Sequence, residues 1–104
     1  PRAQPFYTGL INLRGQIIPA VNLRKRLGFA ENEPGFEPIN LIVMGNDGPL
    51  CIQVDQVGDV LDVSLSLYEN APPTVDQKIA AFIEGVCKLP EELLIILDIP
   101  ALTA

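Results

Sequence analysis

The chain contains no histidine and no tryptophan, one methionine and two cysteines. Without histidine there is no Ser-His-Asp or Cys-His nucleophile system, and most zinc sites are excluded. No glycine pattern fits a phosphate loop or a dinucleotide fold. Cys51 has no histidine to activate it and little lysine nearby. Cys51 and Cys87 lie far apart in apolar runs, where a free thiol acts as a small hydrophobe, as in a reduced cytoplasmic protein. No signal peptide or membrane-length run is visible. Acid is missing from the start: the first of thirteen acidic residues is Glu31. Five of the seven basic residues are Arg2, Arg14, Arg24, Lys25 and Arg26. The net charge of −6 argues against nucleic acid as the main partner. The basic cluster reads as a solvated helix face, the alternative being a patch that faces a partner.

Acidic chemistry is also thin. Asp55, Asp59 and Asp62 are the one set that could be imagined around a hard cation. On an extended strand, Asp55 and Asp59 lie on one face roughly 13 Å apart, and only a bend at Gly58 brings them closer. Glu91 and Glu92 belong to a solvated turn. The expectation is therefore a non-enzyme, with no catalytic residue, no metal and no cofactor.

What is present is strand-forming. At 104 residues and 48% hydrophobic, the chain suits one modest core rather than disorder. Leu10–Arg14 and Ile17–Val21 read as a hairpin with Gly15-Gln16 as its loop. That register pairs Arg14 with Ile17, Leu13 with Ile18, Asn12 with Pro19 and Ile11 with Ala20. Ile11, Leu13, Ile18 and Ala20 then share an apolar face. Leu10, Asn12, Arg14, Ile17, Pro19 and Val21 share a mixed one. Pro19 cannot donate to a ladder, so the second strand is expected at an edge or bulged there. Asn22 caps a short helix, Leu23–Leu27, that Gly28 ends.

Ile39–Gly45 and Leu50–Val57 read as strands around the turn Asn46-Asp47-Gly48. Asp59–Val63 resumes after an interruption at Gly58. Ser64–Lys78 reads as loop or a short helical turn. Ile79–Leu89 reads as a strand, and Leu93–Leu97, continuously apolar, as one buried on both faces. Ile99–Ala104 can begin a helix. About seven short strands and one short helix argue for an all-β barrel or pair of barrels.

Three blocks of the sequence, in order, resemble the CheW-like coupling (adaptor) proteins of bacterial chemotaxis. They are "GLINLRGQIIPAVNLRKRLGF", "CIQVDQVGDVLDVS" and "FIEGVCKLPEELLIILDIPALT". The resemblance covers the chain as a single domain, residues 1–104. It implies two small SH3-like β-barrel subdomains and a scaffold without catalysis. It implies a bridge between the regulatory domain of a histidine kinase and the cytoplasmic tip of a chemoreceptor, in the cytoplasm. Asn22 departs from the family's aspartate, with little effect expected on capping. The family also carries about forty more residues before Gly9. The opening "PRAQPFYTG" therefore reads as a chain entered partway through, with one barrel short of N-terminal strands. An open edge of that kind invites homo-oligomers or strand exchange.

The expected partner-binding residues are Gly9, Asn12, Arg14, Val57, Asp59 and Val60. For Asn12 and Arg14 two readings stand side by side. In one, the pair donates to carbonyls of a nearby loop; in the other, it shapes or touches the kinase interface. For Val57 and Val60 the bland alternative is core packing. An adaptor of a pilus-motility or other chemosensory pathway fits the same residues, as does a fragment cut from a larger kinase or adaptor. A small ligand-binding barrel or enzyme is the alternative of another class.

Overall fold

A computed structural model describes residues 7–103. The chain divides into two compact units, Pro1–Gly58 and Asp59–Ala104.

The first unit is a four-stranded sheet in the order β1-β2-β4-β3. Its strands are β1 (Tyr7–Leu13), β2 (Gln16–Asn22), β3 (Ile39–Gly45) and β4 (Gly48–Val54). The hairpin register is Leu13 with Gln16, Asn12 with Ile17, Ile11 with Ile18 and Leu10 with Pro19. The loop is therefore Arg14-Gly15, not Gly15-Gln16. Both loop residues have positive φ, 52° and 84°, as a type I′ turn demands. Proline explains the choice. Antiparallel pairs alternate between bonded and non-bonded sites. Counting from the closing pair, the observed register places Pro19 at a site that needs no N–H toward β1. The expected register would have placed it at a bonded site and lost a bond. The apolar face survives because the two registers share parity. Ile18, Ala20 and Cys51 form its buried centre, with Ile11 and Leu13 packed against them.

Contrary to expectation, β2 is not an edge and the bulge is not at Pro19. β2 lies between β1 and β4, and the irregularity falls in β1 between Tyr7 and Gly9. β2 runs parallel to β4, and that ladder begins at Ala20 opposite Cys51, just past the proline. The missing donor therefore breaks nothing. On the opposite face Val21, Leu50 and Ile52 are buried. Each such side chain contributes about 1.5–3 kcal/mol when fully removed from water.

Helix α1 (Leu23–Arg26) is capped by Asn22, whose Oδ1 accepts from the Lys25 backbone N–H at 3.0 Å. Gly28, at φ 80°, follows its end. β4 stops at Val54, and residues 55–64 form no strand, so neither the extension to Val57 nor the strand at Asp59–Val63 is present. Glycine and repeated aspartate there favour turns over a ladder.

The second unit is a three-stranded sheet, β5-β6-β7. A single 3-10 turn (Leu65–Leu67) leads into β5 (Tyr68–Glu69), followed by α2 (Gln77–Ala80), β6 (Ile83–Lys88), β7 (Leu93–Leu97) and α3 (Ile99–Leu102). The strand expected to start at Ile79 starts at Ile83. Asp76 caps α2 instead, accepting from the Lys78 N–H at 2.8 Å, and so makes Ile79 and Ala80 helical. α3 forms as expected, capped by Asp98. The described residues thus hold three short helices where the expected total counted one. β7 is an edge strand, with Leu93 and Ile95 exposed rather than buried on both faces. Val86, Cys87 and Leu102 are the buried hydrophobics of this unit. Both sheets are open in the described residues, a mostly β arrangement consistent with two SH3-like subdomains.

Candidate interaction surface

The hairpin holds three of the expected site residues. Asn12 sits opposite Ile17, and its Oδ1 accepts from the Gly15 N–H at 2.9 Å. Asn12 is thus an acceptor that pins its own turn, not a donor to a distant loop. Arg14 is exposed at the turn, in the left-handed region. It is the one non-glycine residue with positive φ in the described chain. That conformation costs a residue with a Cβ about 1–2 kcal/mol. Arg14 makes no hydrogen bond or ion pair with the described residues, so its expected bonds to a loop are absent. Among the described residues the guanidinium has no partner.

Gly9 lies at the β1 irregularity, exposed, with φ 146°. A side chain there meets no neighbour within 4 Å, so the backbone angle alone calls for glycine. Beside it, Thr8 Oγ1 donates to Gln53 Oε1 at 2.7 Å and ties β1 to β4. Tyr7, Thr8, Gly9, Leu10 and Pro19 line a shallow depression.

The outward face of this hairpin carries exposed apolar side chains beside Asn12. Leu10 is 70% and Ile17 57% exposed, with Pro19 opposite Leu10. Leu10 and Ile17 are surface candidates that the sequence reading passed over in favour of their polar neighbours. Their signal was available, since both fall on the mixed face.

Val57, Asp59 and Val60 lie on the irregular segment around Gly58. Val57 belongs to the first unit, and Asp59 and Val60 to the second. Val57 is 54% and Val60 97% exposed, and Asp59 is exposed as well. Core packing is therefore not what these two valines do.

The basic cluster is largely spent on local acid. Arg24 Nε lies 3.0 Å from Asp55 Oδ2, and its Nη1 donates to the Ala30 carbonyl at 2.8 Å. Asn32 Nδ2 also donates to Asp55. Lys25 pairs with Glu31 at 3.3 Å. Asp55 thus fastens α1 and the loop after it to the end of β4. Burial pushes the Cys51 thiol above its ordinary value. Among the described residues no group of three His, Cys, Asp or Glu could hold a metal ion. No helix there is long and apolar enough to cross a membrane.

A model of the CheW-like domain matches residues 1–104. The chain belongs to the CheW-like family. It is 37% identical over 98 residues to the chemotaxis protein CheW of Bacillus subtilis, covering 94% of this chain and 63% of that protein. It is 35% identical over 103 residues to CheW of Treponema pallidum, covering 95% of this chain and 61% of the relative. The crystal structure of the scaffolding protein TtCheW from Thermoanaerobacter tengcongensis superposes with a TM-score of 0.83 at 33% identity. That match covers 98% of this chain and 69% of the other. The chain thus spans a little over three fifths of the length of the two CheW relatives.

Proposed function

We propose that this chain is a scaffold adaptor that couples chemoreceptors to a chemotaxis-type histidine kinase, without catalysis of its own and in the cytoplasm. The likeness to a scaffolding protein over nearly the whole chain carries this reading. Two surface features support it. One is the hairpin that presents Arg14 at its turn and leaves Leu10 and Ile17 exposed along its strands. The other is the irregular segment that presents Val57, Asp59 and Val60 to solvent. An apolar centre with a polar rim is the make-up of a protein–protein interface. Gly9, Asn12, Arg14, Val57, Asp59 and Val60 are the proposed contact residues. Asn12 acts by fixing the turn that carries Arg14. The proposed partners are the kinase regulatory domain, the receptor's cytoplasmic tip and a second copy of the chain. The copy would join by strand exchange through an incomplete barrel.

Calorimetric titration against the regulatory domain of the kinase from the same organism tests the reading. Binding at micromolar strength or tighter supports it. Absence of binding removes kinase coupling and leaves the family and the fold.

A further inference from the structure

The two edges of the four-stranded sheet are unlike. β1 is blunted by its bulge at Gly9. β3 is not blunted at all. It has seven residues, no charge and no proline, and it pairs with β4 without a break from Ile39–Val54 to Gly45–Gly48. It has no second neighbour among the described residues. Both its faces are open: Ile39 and Leu41 on one, Ile42 and Met44 on the other, with Met44 73% exposed. Sheet edges of soluble proteins are usually protected by charge, proline or a bulge. β3 carries none of these.

The β3–β4 loop is Asn46-Asp47, so Gly45 and Gly48 close the hairpin at a bonded pair. Alternation then turns the N–H and C=O groups of Asn40, Ile42 and Met44 outward. Pro49 opposite Met44 agrees with this count, because a non-bonded site needs no donor. Three residues therefore offer an unpaired ladder.

Charge selects the occupant. The uncharged run is bracketed by Glu37 at one end and Asp47 at the other. A second copy, paired antiparallel about a two-fold axis at Ile42, would set Glu37 against Asp47 twice. Like charges facing one another across strands are destabilising. Sliding that register either way shortens the paired run. A strand with basic ends meets attraction at both places instead.

We propose that the open edge of β3 receives an extended partner segment, uncharged in its middle and bracketed at both ends by lysine or arginine. This is strand addition, in which main-chain bonds supply affinity and the flanks supply selectivity. It stands independently of the adaptor reading.

The test is fluorescence anisotropy of the 104-residue chain with a labelled peptide of seven alternating threonines and valines, two lysines at each end. A peptide with glutamates in place of the lysines is the control. The expected dissociation constant for the lysine peptide is about 100 μM or tighter at low salt, with the glutamate peptide at least about tenfold weaker. Ile42→Pro, which removes an outward donor, abolishes binding. Glu37→Lys combined with Asp47→Lys reverses the preference. Both of those lie outside the strand, so this variant carries the test even where Ile42→Pro fails to fold. Four results would overturn the proposal: equal affinity for the two peptides, no binding of the lysine peptide at about 1 mM, binding unchanged by a folded Ile42→Pro variant, or a homodimer that Ile42→Pro dissolves.

Discussion

The ring of Tyr68 lies across the Cα of Gly85, and the Tyr68 hydroxyl donates to the neighbouring Glu84 carbonyl at 3.0 Å. The glycine leaves room on β6 for an aromatic from β5 to rest on the strand. A Cβ at Gly85 would overlap the ring. Gly85→Ala is expected to destabilise the second unit by about 1–3 kcal/mol, read as a lower urea midpoint. Tyr68→Ala with Gly85→Ala should cost less than the sum of the two single changes, because the pair share one contact. Strict additivity would show that the ring and the glycine are energetically unrelated.

Stability and binding should separate at Arg14. Its left-handed backbone is strained for any residue with a Cβ, so Arg14→Gly is expected to leave the melting temperature unchanged or raise it slightly. The same change should weaken binding to the kinase regulatory domain by about 1–2 kcal/mol, roughly five- to thirtyfold. Asn12→Ala should instead lower stability by about 1 kcal/mol, through the lost bond to Gly15. Unchanged affinity in Arg14→Gly would remove the residue from the contact surface.

Arg24 and Asp55 are both more than a third exposed, so their pair adds little to global stability. Asp55→Ala is expected to cost no more than about 1 kcal/mol. Its larger effect is local, since Asp55 also accepts from Asn32. Backbone amides of residues 29–33 should exchange hydrogen faster in the variant. Exchange equal to the parent's would show that the loop is held by other means.

Cys51 links stability to alkaline pH. Its pKa is raised by burial above the ordinary 9.0. The unfolded chain therefore loses this proton first as pH rises. The contribution is fully present below the unfolded pKa and declines as pH climbs from there through the folded value. Between pH 7 and 10, the urea midpoint should fall more steeply in the parent than in Cys51→Ala. Identical slopes would exclude the thiol as the source.

Self-association should appear as a rising average mass in light scattering at high protein concentration. A constant monomer mass over the whole range would remove strand exchange from the proposed partners.

The sequence by itself determined the strand-rich class, the apolar face of the first hairpin, the Asn22 cap and the exact span of β3. These rest on local periodicity and on residue types with few alternatives. Parity explains why the face survived although the register did not: both registers place Ile11, Leu13, Ile18 and Ala20 on one side. The register itself was legible in Pro19, once its missing N–H is counted against the alternation of the ladder. Asp76 likewise marked α2, within a run whose apolar content hid the cap.

Tertiary structure alone decided the rest. The parallel pairing of β2 with β4 joins residues some thirty positions apart, and no local pattern specifies it. The apolar run Leu93–Leu97 reads the same in a central strand or at an edge, and only its neighbours settle which. Val57 and Val60 read in sequence either as contact residues or as core, and they stand in solvent because the chain leaves the sheet at Val54. Composition sets how much apolar surface a chain has. Which part of it is left uncovered depends on partners distant along the chain.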